Sequence, residues 1–346
     1  FFGEYTPKHN DRLNYISNFS GSFGFALILK NKNYLFVDGR YTLQANNQSG
    51  KFYKIITIPD KLPSDILKSK KIIIGFDPNL FTSKMLKKFF SRGNYKLKPL
   101  NNNLIDQIWK REIVKTKGVF YKLPKSSVGL NYKLKVNKIL SNLKKRGAHY
   151  QFITSSENNA WLFNIRGFDA KYTPIPYCHV LIDHNRNINF FCDLRKIPSA
   201  FKRNFGEIKF IKKELIYNTL IKIKKKKFIL DENTCSFYFK NLISKNNRIL
   251  NYQDPIYLLK SIKSKKELKN IIRSHIYDGA ALTKFLFWLK KNFVRKNVTE
   301  ISASKKLYDF RKINKKFKFS SFPTISGSGP NGAIIHYKAT NKTNRK

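Results

Sequence analysis

The chain has 346 residues, 41% hydrophobic and 15% aromatic, and carries 69 Lys and Arg against 21 Asp and Glu, a net charge of +48. That length exceeds what one core usually organises and the apolar content excludes global disorder, so two or three domains are expected. No uninterrupted apolar run reaches the ~18 residues of a membrane-spanning helix, so no membrane partner is expected.

Taken as a count, the charge predicts a nucleic-acid partner, because lysines gain affinity by releasing counterions from phosphates. Its distribution weakens that reading. Lysines occur in nearly every segment, with a single run of four from Lys224 to Lys227, while Asn, Ile, Phe and Tyr are abundant and Met is 1. This is the composition of a chain drifting toward A/T-rich codons, and nucleic acid is not expected on that ground. The three cysteines, Cys178, Cys192 and Cys235, share no C-x-x-C spacing and read as small buried residues of a reducing compartment. Phe1 opens the sequence without a preceding leader, so the natural N-terminus is expected to lie outside it.

In chain order, a Gly/Ser turn leads into a strand Phe25–Leu29, a tight turn at residues 30–33 and a strand Tyr34–Val37, which together read as a hairpin. Asp38-Gly39-Arg40 ends the second strand, and a short helix Tyr41–Asn46 follows. A strand Tyr53–Ile58, a helix Leu62–Lys68 and a buried strand Lys71–Phe76 come next. Asp77-Pro78 is expected to cap a helix Ser83–Phe90.

The same order returns downstream. "AWLFNIRGFDAKYTPIPYCHVLIDHNRNINFFCDLRKI" contains a strand Cys178–Ile182, a turn Asp183–Asn187, a strand Ile188–Cys192 and then Asp193-Leu194-Arg195. The spacing repeats as well: 39 residues separate Asp38 from the strand-ending Asp77, and 38 separate Asp193 from the strand-ending Asp231. Two diverged copies of one α/β unit account for this economically.

A different element follows. Leu268, Ile272, Ile276, Ala280 and Phe287 recur at helical spacing, predicting a long helix over 264–293 whose apolar stripe faces a core and whose start is boxed by Ser264 and Glu267. A second helix spans 299–317, opened by Thr299 or Ser302. "SFPTISGSGPNGAIIHY" is then expected to give a strand, a glycine turn and an apolar strand ending in His336.

Six stretches taken together resemble one family: "RLNYISNFSGSFG", "LFVDGRYTLQA", "AWLFNIRGFDAKYTP", "LKSIKSKKELKNIIRSHIYDGAALTKFLFWL", "TEISASKKLYDFR" and "SFPTISGSGPNGAIIHY". In this order they look like the successive signatures of Xaa-Pro aminopeptidases (aminopeptidase P) of the long, three-domain cytosolic type. The resemblance implies an α/β fold with two repeated creatinase-like domains, followed by a truncated α+β pita-bread metallopeptidase domain. The expected boundaries are 1–122, 123–257 and 258–346.

It further implies cytoplasmic removal of the N-terminal residue of peptides with proline in second place, by a homodimer using two divalent metal ions, typically manganese. By motif, His336 in "GAIIHY" matches the histidine that lines the active site and contacts substrate, and Arg40 in "DGRY" matches an arginine reaching toward substrate. The family's metal ligands, two Asp, one His and two Glu, are expected downstream of Lys346. The chain is therefore read as a fragment that binds no metal and is itself inactive. A creatinase-like binding protein holding a polyanion through its charge is the alternative.

Several features have blander readings. "SGSFG" lacks the lysine of a phosphate-binding loop and precedes a strand. Arg166 and Asp169 are expected to form a structural loop pair. His275 and Asp278 sit three apart on a helix, a spacing that arises often without metal. Where the family commonly has Asp-Glu-Ile-Ala-Trp, residues 157–161 read Glu-Asn-Asn-Ala-Trp, which suggests relaxed packing there.

Overall fold

The computed structural model describes residues 3, 6–91, 93–112, 118–294 and 297–346. They form two compact units that do not follow chain order: one takes residues up to Ile16 together with Pro59–Ser264, the other Ser17–Ile58 together with Lys265–Lys346.

In the second unit, β1 (Gly24–Ile28) and β2 (Asn33–Asp38) form the predicted hairpin, and β3 (Lys54–Ile58) joins β2 in parallel. Leu35, Phe36 and Val37 are each fully buried, as a central strand covered on both faces requires. Helix Thr42–Ser49 connects β2 to β3, closing a right-sized parallel crossover.

The larger unit contains β4 (Ile73–Phe76) and β5 (Lys96–Pro99), paired in parallel. Next come β6 (Tyr121–Lys122), β7 (Tyr150–Ile153), β8 (Ile165–Arg166), β9 (His179–Asp183), β10 (Ile188–Cys192), β11 (Ile208–Lys212), β12 (Lys227–Leu230) and β13 (Arg248–Asn251). Six of these make one mixed sheet in the order β11-β10-β9-β7-β12-β13, while β6 and β8 form a small antiparallel pair. Side chains alternate across this sheet. Val180, Ile182 and Phe190 pack with Val136, Ile139 and Leu162 on one face. Leu181, Phe191 and Phe228 pack with Ile243 and Leu220 on the other.

The repeat read from sequence has a structural counterpart. The β9-β10-β11 arrangement, an antiparallel hairpin plus a parallel third strand, has the connectivity of β1-β2-β3. Each hairpin ends in an Asp that caps a 3-10 turn: Asp38 accepts from the Arg40 amide, and Asp193 from the Arg195 amide. In the larger unit, Thr82 caps helix Ser83–Phe90 and Ser236 caps helix Phe237–Ser244. These two corresponding residues bridge each other directly in antiparallel fashion. Among the described residues, the first copy has no strand in the position of β7, and β1-β2-β3 and β4-β5 remain separate sheets.

Four expectations are corrected. Asp77 does not cap helix Ser83–Phe90; its carboxylate accepts from the Asn79 amide at 2.8 Å and from Asn103 Nδ2 at 2.9 Å, and Thr82 is the cap. The long helix runs Lys265–Asn292, but Ala281 is its one buried residue among those described, and Ile272 and Ile276 are more than half exposed. Its stripe is apolar without being covered, because within its unit the helix packs chiefly against helix Glu300–Lys312. Neither strand expected around the glycine turn is present: residues 321–326 and the stretch ending at His336 flank a 3-10 helix, Gly329–Ala333, and with no strand beside them among the described residues their backbone groups have no ladder to join. Packing around Asn159 is not relaxed, since it is fully buried and its amide nitrogen donates to the Ile153 and Cys178 carbonyls.

Candidate functional site

Tyr41 is the centre of the second unit's polar cluster. Its ring is 1% exposed and meets Phe19 edge-on, with centroids 5.8 Å apart. Gly21 makes that contact possible: a Cβ there would lie 2.3 Å from the Phe19 ring and 2.9 Å from the Tyr41 ring. The "SGSFG" stretch is thus a packing device, not a phosphate cradle. The Tyr41 hydroxyl lies 2.7 Å from Ser22 Oγ and 2.9 Å from His336 Nδ1.

The two residues singled out by motif share Tyr41 as a neighbour. His336 is exposed and has φ of 56°, a left-handed conformation uncommon outside glycine. Arg40 places its guanidinium 5.3 Å from the Tyr41 ring centroid. It folds back on Asp38 as a fork, Nε to Oδ1 at 3.0 Å and Nη2 to Oδ2 at 2.7 Å. This hydrogen bonding, with smaller help from the Arg40 charge, outweighs burial and lowers the Asp38 carboxyl below its ordinary range. The result is an exposed guanidinium and an exposed imidazole, each tethered from behind, which suits gripping a carbonyl or carboxylate oxygen.

Asp193 and Arg195 repeat the Arg40 fork in the other copy, Nε to Oδ1 at 2.8 Å and Nη2 to Oδ2 at 2.5 Å. The clasp is therefore a property of the repeated fold. What is particular to Arg40 is its association with Tyr41 and, through it, His336.

Glu300 was not singled out by the sequence, yet it holds the glycine turn that leads to His336. Its carboxylate accepts from the Ser328 amide at 2.6 Å, Asn331 Nδ2 at 3.0 Å, the Tyr337 hydroxyl at 2.9 Å and the Arg345 amide at 3.1 Å. Burial alone would raise this carboxyl; the four donors overcome it and hold it at about 2. Gly329 takes φ of 53° in the same turn, a conformation glycine adopts without strain.

The remaining candidates are structural. Arg166 donates to the Ala160 and Ile165 carbonyls, while Asp169 accepts from the Tyr177 amide and pairs with Lys196, so the two do not form the expected pair. Asp278 ties the long helix to Arg311 at 2.6 Å. The cysteines are free and buried, and burial pushes the Cys192 and Cys235 thiols up to about 12, far from reactive thiolates. No helix among the described residues is long and apolar enough to cross a membrane.

Residues 8–108 and 113–267 each match the creatinase/prolidase N-terminal domain, and residues 269–346 match metallopeptidase family M24. The Xaa-Pro aminopeptidase ApepP of Drosophila melanogaster is 32% identical over 362 residues, covering 99% of this chain and 58% of the fly protein. The chain is a relative of aminopeptidase P. A probable Xaa-Pro aminopeptidase P of Laccaria bicolor is 33% identical over 97% of the chain and 54% of its own length. The aminopeptidase P relative also superimposes on the X-prolyl aminopeptidase of Caenorhabditis elegans with a TM-score of 0.88 at 27% identity, covering 99% of this chain and 59% of that one. It thus spans a little over half the length of the relatives it matches.

The nematode protein is described as a cytosolic enzyme with a di-nuclear active site. Among the described residues of the present chain, no group of three or more His, Cys, Asp and Glu is placed to hold a metal ion. The described residues do not fit such a centre.

Proposed function

We propose that this aminopeptidase P relative contributes the substrate-gripping part of a cytoplasmic, homodimeric metalloenzyme that releases the N-terminal residue of Xaa-Pro peptides. The observation that carries the reading is the convergence of Arg40 and His336 on Tyr41 in a chain related along almost its whole length to Xaa-Pro aminopeptidases. The scissile bond of such a peptide is a tertiary amide without an N–H. A site for it cannot hold that nitrogen as a donor and must work through the carbonyl oxygen, for which the His336 imidazole and Arg40 guanidinium supply donors. Domain boundaries at 1–122, 123–257 and 258–346 belong to the same reading.

Two divalent ions, typically manganese, would make hydroxide near neutral pH in the complete enzyme. Their ligands, an ordered set of two Asp, one His and two Glu, would come from parts of the M24 domain that these residues do not span. The test is Xaa release from an Xaa-Pro peptide by the full-length protein with manganese, and its arrest by chelator. The reading fails if the full-length protein lacks that ligand set or leaves the Xaa-Pro bond intact, with and without metal.

A further inference from the structure

Strands β7, β12 and β13 run parallel, so their amino-terminal ends lie together. Three loops enter there: "LKKRGAH" (143–149), "IKIKKKK" (221–227) and "SKNNR" (244–248). Backbone hydrogen bonds stitch them to one another, His149 to the Lys227 carbonyl at 2.9 Å, Lys225 to the Asn246 carbonyl at 2.8 Å and Arg248 to the Lys226 carbonyl at 2.9 Å. None of the three loops contains an Asp or Glu, and Lys144, Lys145, Arg146, Lys224, Lys225, Lys226, Lys245 and Arg248 are all exposed. Acids do occur nearby, but they are engaged: Asp183 accepts from its own turn, and Glu207 pairs with Lys133 and Arg186.

The carboxyl-terminal ends of the same strands differ in carrying acids alongside lysines, with Asp231 and Asp254 buried and Glu232 paired with Lys240. Glu157, Asp231, Glu232 and Asp254 follow β7, β12 and β13 there. Codon drift scatters lysine without regard to the folded structure and does not account for three adjoining loops that are lysine-rich and free of acids. We propose that the amino-terminal end of these three strands is a binding face for the phosphodiester backbone of single-stranded RNA or DNA.

Phosphate suits it better than a bilayer. The three loops present no exposed large apolar side chain for insertion, whereas closely spaced lysines release counterions from a polyanion. Arg146 is held over the ring of Tyr252, the residue after β13, at 3.5 Å, and its exposed planar guanidinium is a surface on which an unpaired base can stack. The local field is felt by His149, which burial first, and then Lys226, His184 and Lys227, lower below the ordinary imidazole range.

The experiment measures anisotropy of a labelled 20-nucleotide single-stranded RNA across a salt series. It compares the chain with two variants of equal net charge. One replaces Lys144, Lys145, Lys224, Lys226 and Lys245 by Gln; the other replaces the exposed Lys269, Lys284, Lys290, Lys305 and Lys315 by Gln. The face variant should lose about 10-fold or more in affinity and lower the log-log salt slope by roughly 0.7 for each phosphate it no longer neutralises. The control should stay within about 2-fold. Equal losses in both variants, absence of salt-dependent RNA binding, or binding to phosphatidylserine vesicles with none to RNA would each overturn the proposal. Circular dichroism of both variants establishes that a loss is not unfolding.

Discussion

The Tyr41 hydroxyl lies 2.9 Å from Nδ1 of His336, a residue 295 positions away in the chain. Ser22 Oγ sits on the other side of the same hydroxyl at 2.7 Å. If Tyr41 donates to Nδ1, the neutral imidazole carries its proton on Nε2, outward, as a donor. Tyr41→Phe keeps the ring against Phe19 and removes only the oxygen. The expected cost in stability is about 1 kcal/mol, and nitrogen NMR of His336 should show the Nε2–H tautomer weakened. An unchanged tautomer in the variant would show that Tyr41 does not set it.

The repeated Asp-x-Arg clasp supplies an internal control for the proposed substrate contacts. In the full-length enzyme, Arg40→Ala and His336→Ala should each lower kcat/KM by about 10-fold or more, equivalent to about 1.4 kcal/mol of transition-state stabilisation. Arg195→Ala removes the same fork from the other copy and should leave turnover unchanged. Equal losses at Arg40 and Arg195 would assign the clasp a purely architectural role.

Asp254 gives the larger unit a stability that depends on pH. It is deeply buried, accepts from Asn158 Nδ2 at 2.7 Å and Gln151 Nε2 at 3.1 Å, and burial pushes its carboxyl up to about 6 from an ordinary 3.8. A folded value above the unfolded one means that the protonated form favours folding. The contribution is complete below pH ~4 and is lost as pH rises through ~6, on the order of 3 kcal/mol in all. Asp254→Asn should remove that loss, so urea midpoints of the variant should fall less between pH 4 and 7 than those of the parent. Parallel pH profiles would contradict the assignment.

Glu300 works in the opposite sense. Its folded value of about 2 lies below an ordinary 4.5, so its contribution is present above pH ~4.5 and disappears as pH falls toward 2. Glu300→Gln turns one acceptor into a donor facing Asn331, Tyr337 and two backbone amides. It should lower the melting temperature at pH 7 and flatten the acid limb of the stability curve. A variant with the parent's melting temperature at pH 7 would show the cluster to be dispensable.

Local chemistry explains which parts of the fold could be read from sequence. Strand β10 and helix Ser83–Phe90 have the predicted bounds, because alternation, helical spacing and polar turns mark them without outside help. The helix cap was misplaced because Asp77 and Thr82 are both good capping types, and only the backbone path selects Thr82. The strand through Ile334 and Ile335 failed because strand formation depends on a neighbour, which an apolar run does not disclose. At the site, Arg40 and His336 stood in recognisable motifs. Tyr41 and Glu300 did not: a tyrosine at a helix start and a glutamate in a first helical turn are ordinary there, and their partners are distant in sequence.

The bridge between Thr82 and Ser236 has a consequence for how the two copies hold together. It sets corresponding capping residues of two related copies against each other within one polypeptide, so their contact needs no association between separate chains. Covalent joining keeps the two copies at a millimolar-scale effective concentration. Such an interface can be small, and its two sides are free to diverge, one copy keeping a complete sheet while the other is divided between units.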